Sequence, residues 1–343
     1  MENEAIFHNG IGSLASDTEV LTPTGWLNIA KVTGDTLVAQ YLVQDKIGYI
    51  TFVHPVKLTK GMVDKAYSLS TNKRHVDQLV NSLHGIIYVS DLDKLVVKPV
   101  SQSALHHSKI INAGLLYNDS DRELSLEEQL RIAIQADGTI ARQSARSDGI
   151  RFKLKKDRKL DRIKTLLDNL GISYNTFPSN TDGCTFYTFL TTPGYYEKDF
   201  DWIDLTDKGH MWCTQFVKEV GQWDSTNYGK NKIQYFNNRK IAVDRVQAVA
   251  ISAGFRTCLS ARNRVGTNWN TQYTLSITDK RGTLSEVIDK KIVDYNVIMY
   301  RVVVPTRMIV IRRNDAVSIT ACGDEFSAKE ITSLDLDLSP VII

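Results

Sequence analysis

Two stretches at opposite ends of the chain decide how it folds: Ser13-Leu-Ala-Ser-Asp-Thr-Glu-Val-Leu-Thr-Pro-Thr-Gly25 and Val304-Pro-Thr-Arg-Met-Ile-Val-Ile-Arg-Arg-Asn-Asp-Ala-Val-Ser-Ile-Thr-Ala-Cys322. From Thr18 to about Val100 the text is strand-like. Runs such as Leu37-Val-Ala-Gln-Tyr-Leu-Val43 and Gly85-Ile-Ile-Tyr-Val89 are broken by Thr-Gly-Asp and Asp-Lys turn material. The same β character returns in Val297-Ile-Met-Tyr-Arg-Val-Val-Val304 and Met308-Ile-Val-Ile-Arg312. Between them the character changes at Asn118-Asp-Ser-Asp-Arg-Glu-Leu-Ser125, where Ser125 stands as the N-cap of a helix with acids in its first turn. Helical and strand-like pieces alternate from there to about residue 285. The expectation is an all-β unit interrupted by an α/β insert.

The insert repeats itself. Leu130-Arg-Ile-Ala-Ile-Gln-Ala-Asp-Gly138 ends a helix, basic strand-like text follows, and Leu160 to Ile172 reads as a second helix. Phe216-Val-Lys-Glu-Val-Gly-Gln-Trp-Asp224, the strand-like Lys232-Ile-Gln-Tyr-Phe236 and the helix from Val243 to Phe255 follow the same order. Each copy puts an acid at a helix's last turn and closes an amphipathic helix with glycine, at Gly171 and Gly254. Duplication of this kind implies a pseudo-twofold domain with its two acids brought together.

The bulk properties permit several domains. At 343 residues, with 42% hydrophobic and 24% charged residues, the chain has an ordinary soluble composition and room for at least two cores. No apolar run approaches the roughly 20 residues that span a bilayer, and Met1-Glu-Asn-Glu-Ala5 is unlike a secretory signal. No membrane association and a cytoplasmic location are expected. Cys184, Cys213, Cys258 and Cys322 are scattered, which suggests neither a zinc site nor a disulfide framework. The net charge of +3 hides a local excess, since residues 142 to 164 hold ten Arg or Lys against three Asp. Alternation in Arg151-Phe-Lys-Leu-Lys155 lays positive charge along one face of a strand, either as a solvated face or as a phosphate-contacting surface.

The two end stretches resemble the termini of inteins, the protein-splicing domains of the Hint type, which begin with a Cys or Ser nucleophile. They end in Asn followed by the Cys, Ser or Thr of the downstream flank. Here those slots read Ser13, Ala321 and Cys322. The resemblance implies that the Ser13 side chain attacks the carbonyl of Gly12, an acyl shift that needs a protonated leaving amine and a stabilised oxyanion. Leu79-Val-Asn-Ser-Leu-His-Gly85 matches the block that supplies this help, with His84 in the catalytic slot and Asn81 where Thr is usual. Cys322 would then attack the ester. Ala321 has no side-chain amide to cyclise, Thr320 stands in place of the penultimate His, and Arg301 in place of the family's Asp or Cys. Splicing needs no cofactor, and these departures make a splicing-blocked chain the expectation. Engineering of both Ser13 and Ala321 is one origin and a natural Ser13 the other.

The insert resembles the LAGLIDADG homing endonucleases, matching at Leu130, Ala136, Asp137 and Gly138, with Asp224 in the second acidic slot and Ser225 in place of glycine. The family implies two pseudo-symmetric αββαββα repeats, with small residues such as Ala133, Ala136 and Gly221 letting the motif helices approach. It also implies catalysis by Asp137 and Asp224, which would bind Mg²⁺ and hydrolyse phosphodiesters of double-stranded DNA. The DNA-contacting candidates are Arg151, Lys153 and Lys155 in the first copy, Lys230, Lys232 and Arg239 in the second, and Lys280 as a weak candidate near the centre. The expected division is 1–12 upstream flank, 13–118 first part of the splicing domain, 119–285 endonuclease (repeats about 125–205 and 210–285), 286–321 second part, and 322–343 downstream flank. A monomer is expected. The flanks are read as pieces of a host protein in a bacterial or phage-infected cell, their glycines faintly like a phage packaging ATPase loop. Two other readings stay open: a DNA-binding relic that has lost catalysis, and an autoprocessing domain without DNA function.

Overall fold

The structure, a computed structural model, describes residues 12–71, 75–90, 94–103, 105, 108–119, 121–180, 182–192, 198–223, 225–227, 232–263, 271–279, 288–322 and 334–335. The chain is mostly β. Its two ends interleave in one frame: strand Leu14–Ala15 pairs with Asp289–Val303 and with Asp77–Val80, and Asp289–Val303 pairs with Lys57–Ser70 to close a barrel. Strand Met308–Arg313 lies between Glu19–Thr22 and Val38–Gln44 in a second sheet, with Ala316–Ala321 folded back onto it. The turn between these last two strands holds Asn314 and Asp315 at φ 46° and 68°. Asn and Asp tolerate that left-handed geometry at low cost.

The insert is anchored where the frame stops. Tyr117 N–H still donates to Ile50 O, while the Asn118 side chain already donates to the carbonyls of Thr206 and Lys208 in the insert. Helix α1, Leu126–Ala136, starts with a reciprocal capping box: Ser125 Oγ accepts from Glu128 N–H at 3.2 Å and Glu128 Oε2 accepts from Ser125 N–H at 2.9 Å. Helices α2, Asp157–Asn169, α3, His210–Val220, and α4, Lys240–Ser252, follow. Gly171 and Gly254 take φ 64° and 84° just past α2 and α4, the left-handed turn that ends a helix.

Each repeat reads αββαββ. The first sheet runs Thr139–Gln143, Asp148–Leu154, Thr185–Thr191, Tyr174–Pro178 in spatial order, and the second Ser225–Asn227, Lys232–Asn237, Gln272–Thr278, Arg256–Arg262. Among the described residues the first repeat shows no closing helix of the expected αββαββα. A three-residue 3-10 turn, Leu205–Asp207, capped by Asp204, stands before α3 instead. In the second repeat that place falls on residues 280–287, outside the described ones. A Cβ at Gly221 would meet Lys218 O at 3.1 Å and Ile233 Cδ1 at 3.2 Å, so the residue's smallness serves its own helix end and the adjoining strand.

Frame and insert share one core. Leu21, Tyr41, Ile50, Val310 and Ile319 of the frame belong to the same buried cluster as Ile134, Val246, Val249, Ile251 and Phe255 of the insert. Polar contacts seal the joint. Buried Arg312 donates to Glu19 at 2.7 Å, to Asp244 of α4 at 2.6 Å and to Gln247 of α4 at 3.0 Å, and lies over the Trp26 ring at 4.7 Å. Lys240 bridges Asp244 and Asp315. Removing one partner from a fully buried pair costs about 3–5 kcal/mol. Glu19 and Asp244 keep some contact with water, so Arg312→Met should lower the unfolding free energy by about 2–3 kcal/mol, read from denaturant midpoints. A loss under about 1 kcal/mol would reduce the network to the standing of a surface pair.

Candidate functional sites

Both ends of the frame converge on His84. A Cβ at Gly12 would lie 3.0 Å from His84 Cα and 3.4 Å from Leu83 O, so Gly12 packs against the histidine's backbone. Ser13 N–H donates to Asn81 Oδ1 at 3.1 Å, Asn81 N–H returns to Ser13 O at 3.3 Å, and His84 N–H donates to Asn81 O at 3.1 Å. On its other side His84 Nε2 lies 2.7 Å from Thr320 Oγ1, one residue before Ala321. Thr320 Oγ1 also faces Gly85 O at 3.3 Å and Gln78 Oε1 at 3.5 Å. Cys322 N–H donates to Arg307 O at 2.8 Å. Ser13, Asn81, His84, Thr320, Ala321 and Cys322 are all buried.

Burial sets the charge states. It holds the His84 imidazolium down to about 3, with the Arg301 guanidinium adding to the effect, so the ring is neutral at physiological pH. Burial also pushes the Cys322 thiol up to about 12, against the opposing influence of a backbone hydrogen bond from Val304 and the charges of Arg301 and Arg307. Nδ1 of His84 has no hydrogen-bond partner among the described residues. The Ser13 hydroxyl is directed at the Met299 thioether, 3.5 Å away, which is a weak acceptor and not a base. Sequence reading marked Arg301 only as a departure from a family pattern. Its electrostatic reach to both His84 and Cys322 depends on how the barrel folds, and Met299 and Gln78 carried no signal at all.

The second constellation sits at the ends of α1 and α3. Asp137 caps α1, and its carboxylate is ion-paired with Lys159 of α2. The neighbouring Arg158 donates to the carbonyls of Gln222, Gly221 (3.5 Å) and Ser225 (3.3 Å). Adjacent residues of one helix therefore grip Asp137 and the segment on both sides of position 224. Asp224 itself, with Lys230 and Lys280, lies outside the described residues. One turn further along α2, Arg162 joins Gln129 of α1 to Glu219 of α3, and Trp223 Nε1 donates to Glu219 at 2.9 Å. Ser225 Oγ donates to Gly221 O, closing the turn after α3 where the expected pattern has glycine. These three cations of the basic stretch sit on α2 rather than on the strand that carries Arg151 and Lys153.

The donor set was tested for a divalent ion. Among the described residues no group of three His, Cys, Asp or Glu is placed to hold a metal, and the Asp137 carboxylate is already taken by an ammonium. Of the DNA-contacting candidates, Arg151, Lys153 and Lys155 are exposed on or just past the strand Asp148–Leu154, and Lys153 pairs with Asp182 at 2.5 Å. Lys232 opens the strand opposite Thr278. Arg239 immediately precedes α4 and pairs with Asp199 at 2.8 Å.

Residues 126–201 match the family model described as LAGLIDADG-like domain. The match begins at α1 and contains Asp137, Arg158 and Lys159. Over 343 aligned residues the chain is 26% identical to a ribonucleoside-diphosphate reductase subunit beta of Aquifex aeolicus (strain VF5), covering 88% of this chain and 49% of that protein. The chain thus spans about half the length of the curated relative it matches. Among solved structures, a splice-inactive variant of the AceL NrdHF class 3 split intein is similar with 10% identity and a TM-score of 0.37, covering 91% of this chain and 98% of that one. The homing endonuclease I-DmoI in complex with DNA and calcium has 13% identity and a TM-score of 0.33, covering 45% and 82%.

His84 gives this site a pH signature. Its folded pKa is depressed from 6.5 to about 3, so the stabilising contribution of the neutral ring is complete above pH 6.5 and declines as pH falls through that window. Unfolding free energy should drop by up to about 1.4 kcal/mol per pH unit from this group, and His84→Gln should flatten that part of the curve. A His84 ring that titrates near 6.5 in an NMR experiment would contradict the assignment.

Proposed function

We propose that the chain is an intein whose insert is a site-specific endonuclease for double-stranded DNA, and that this version is blocked in splicing. The observation that carries the reading is the meeting of Gly12–Ser13 and Thr320–Ala321–Cys322 on one buried, neutral histidine. Distant chain ends have no structural reason to share a histidine, whereas a reaction that joins two flanks needs both junctions at one base. Thr320 Oγ1, with carbonyl acceptors on its far side, accepts from the Nε2 proton of His84, which leaves the Nδ1 lone pair to move a proton. In an acyl shift Nδ1 would take the proton of the residue 13 side chain as it attacks the Gly12 carbonyl, which requires that side chain to turn away from the Met299 thioether it faces here. Nδ1 would return that proton to the Ser13 nitrogen as the C–N bond breaks.

Two features support the block. The serine hydroxyl rests against a thioether, and a serine without an activating base is a poor nucleophile at neutral pH. Ala321 offers no amide nitrogen to cyclise. Neither departure disturbs the fold, since Ala321 packs in the shared core and Ser13 keeps its backbone pairing with Asn81. Incubation of the chain followed by mass spectrometry should return the intact mass, while Ser13→Cys with Ala321→Asn should release the joined flanks. Joined flanks from the unaltered chain would contradict the block. The name of the matched relative supports a ribonucleoside-diphosphate reductase subunit beta as the host, in preference to a packaging ATPase.

For the insert, the proposal rests on the LAGLIDADG match and on the placement of Asp137 beside the segment that bears Asp224. Mg²⁺ would neutralise charge on the scissile phosphate when bound, and Asp137 and Asp224 are the residues proposed to hold it. Lys159 holds Asp137 against α2, and Arg158 fixes the backbone around position 224, so both are positioning residues of this centre. A plasmid carrying the joined host sequence should be cut in a Mg²⁺-dependent reaction that Asp137→Asn abolishes. The pairing of Asp137 with Lys159 favours a second reading, a DNA-binding relic in which the ammonium has replaced the metal. Salt-sensitive binding without cutting at any Mg²⁺ concentration is its signature.

A further inference from the structure

The two sheets of the insert present different chemistry on their open faces. On the first, register places Thr139, Arg151, Thr188 and Asn175 in one row and Lys153, Phe186 and Phe177 in the next. Phe177 and Leu190 are 44% and 53% exposed, and Phe177 stacks on Phe186 at 5.0 Å. Arg151 and Lys153 lie 5.9 Å and 5.7 Å from the Phe186 ring centre. Cations and exposed apolar side chains are interleaved on this face. The opposite face, carrying Ile150, Phe152, Leu154, Tyr187 and Phe189, is core.

The second sheet is built otherwise. Register places Thr226, Gln234, Ser276 and Cys258 in one row and Phe236, Thr274 and Ser260 in the next. Between Lys232 at one end and Arg262 at the other, these two rows hold no charged residue. Gln234 Nε2 donates to Ser276 Oγ at 3.3 Å, which steadies the carboxamide at mid-sheet. Its backbone neighbours Ile233 and Tyr235 are buried, so Gln234 stands on the open face.

Resting on the proposed reading of the insert as a DNA endonuclease, we infer that the two half-sites of its target are read by different contacts. Arg151 reads a guanine beside thymine methyl groups touched by Phe177 and Leu190 in one half. Gln234, steadied by Ser276, reads an adenine in the other. The pairing rules follow from groove chemistry. Guanidinium spans guanine O6 and N7, a carboxamide spans adenine N6 and N7, and apolar groups touch the thymine methyl. Charge complementarity selects duplex DNA as the occupant of the first face, and a neutral, donor-acceptor face beside it suits base edges more than phosphates.

The test is selection from a library of randomised duplexes in Ca²⁺ by the full chain, by Gln234→Ala, and by Gln234→Arg. The unaltered chain should yield a site with an adenine position that Gln234→Ala relaxes by about 5- to 150-fold, leaving the other half-site and the slope of affinity against salt unchanged. Gln234→Arg should convert that adenine preference to guanine, a gain that misfolding cannot produce. Arg151→Ala should relax a guanine in the opposite half. Uniform weakening by Gln234→Ala with a shallower salt slope would make Gln234 a backbone contact and overturn the inference while sparing the DNA reading. Absence of any salt-sensitive binding by the unaltered chain would overturn both.

Discussion

The structure depends on the contact between the strand pair Met308–Arg313 and Ala316–Ala321 and helix α4. That hairpin comes from the far end of the chain and completes a sheet begun by Glu19–Thr22 and Val38–Gln44. Its outer side carries Arg312, whose desolvated guanidinium is tolerable only because Glu19, Asp244 and Gln247 surround it. Two of those three partners belong to the insert. The frame therefore does not merely tolerate the segment that interrupts it; α4 contributes Val246, Val249 and Ile251 to the core that also packs Ala321.

This joint explains how two candidate sites coexist in one chain. The first is built where the barrel meets the second sheet, which brings Gly12, Asn81, His84 and Thr320 together, and burial keeps the histidine neutral. The second is built where α1, α2 and α3 meet, and its order comes from cations of a single helix. Arg158, Lys159 and Arg162 each cross to a different partner, so the first repeat organises the loop of the second. The duplication is consequently unequal. At the start of α4 the positions corresponding to Arg158 and Lys159 hold Ile241 and Ala242, and the pseudo-symmetry of the fold does not extend to its charges.

Much of this architecture was legible in the residues, and the reasons differ from part to part. The helices were readable because Ser125 with Glu128 writes a capping box and Gly171 and Gly254 mark left-handed ends. The pairing of the chain ends was readable from the two terminal stretches taken together. The closing helix of the first repeat was not, because nothing in the text distinguishes a helix from the short turn that Asp204 caps. The basic stretch concealed two populations. Arg151 and Lys153 alternate outward on a strand, whereas Arg158, Lys159 and Arg162 are tied from a helix to acceptors distant in sequence.

The central claim is that frame and insert are one cooperative body joined through α4. Calorimetric unfolding of the full chain tests it most directly. A single transition is predicted, with calorimetric and van't Hoff enthalpies in agreement and its midpoint lowered as a whole by Arg312→Met. Two separable transitions, only one of them moved by that substitution, would contradict the account.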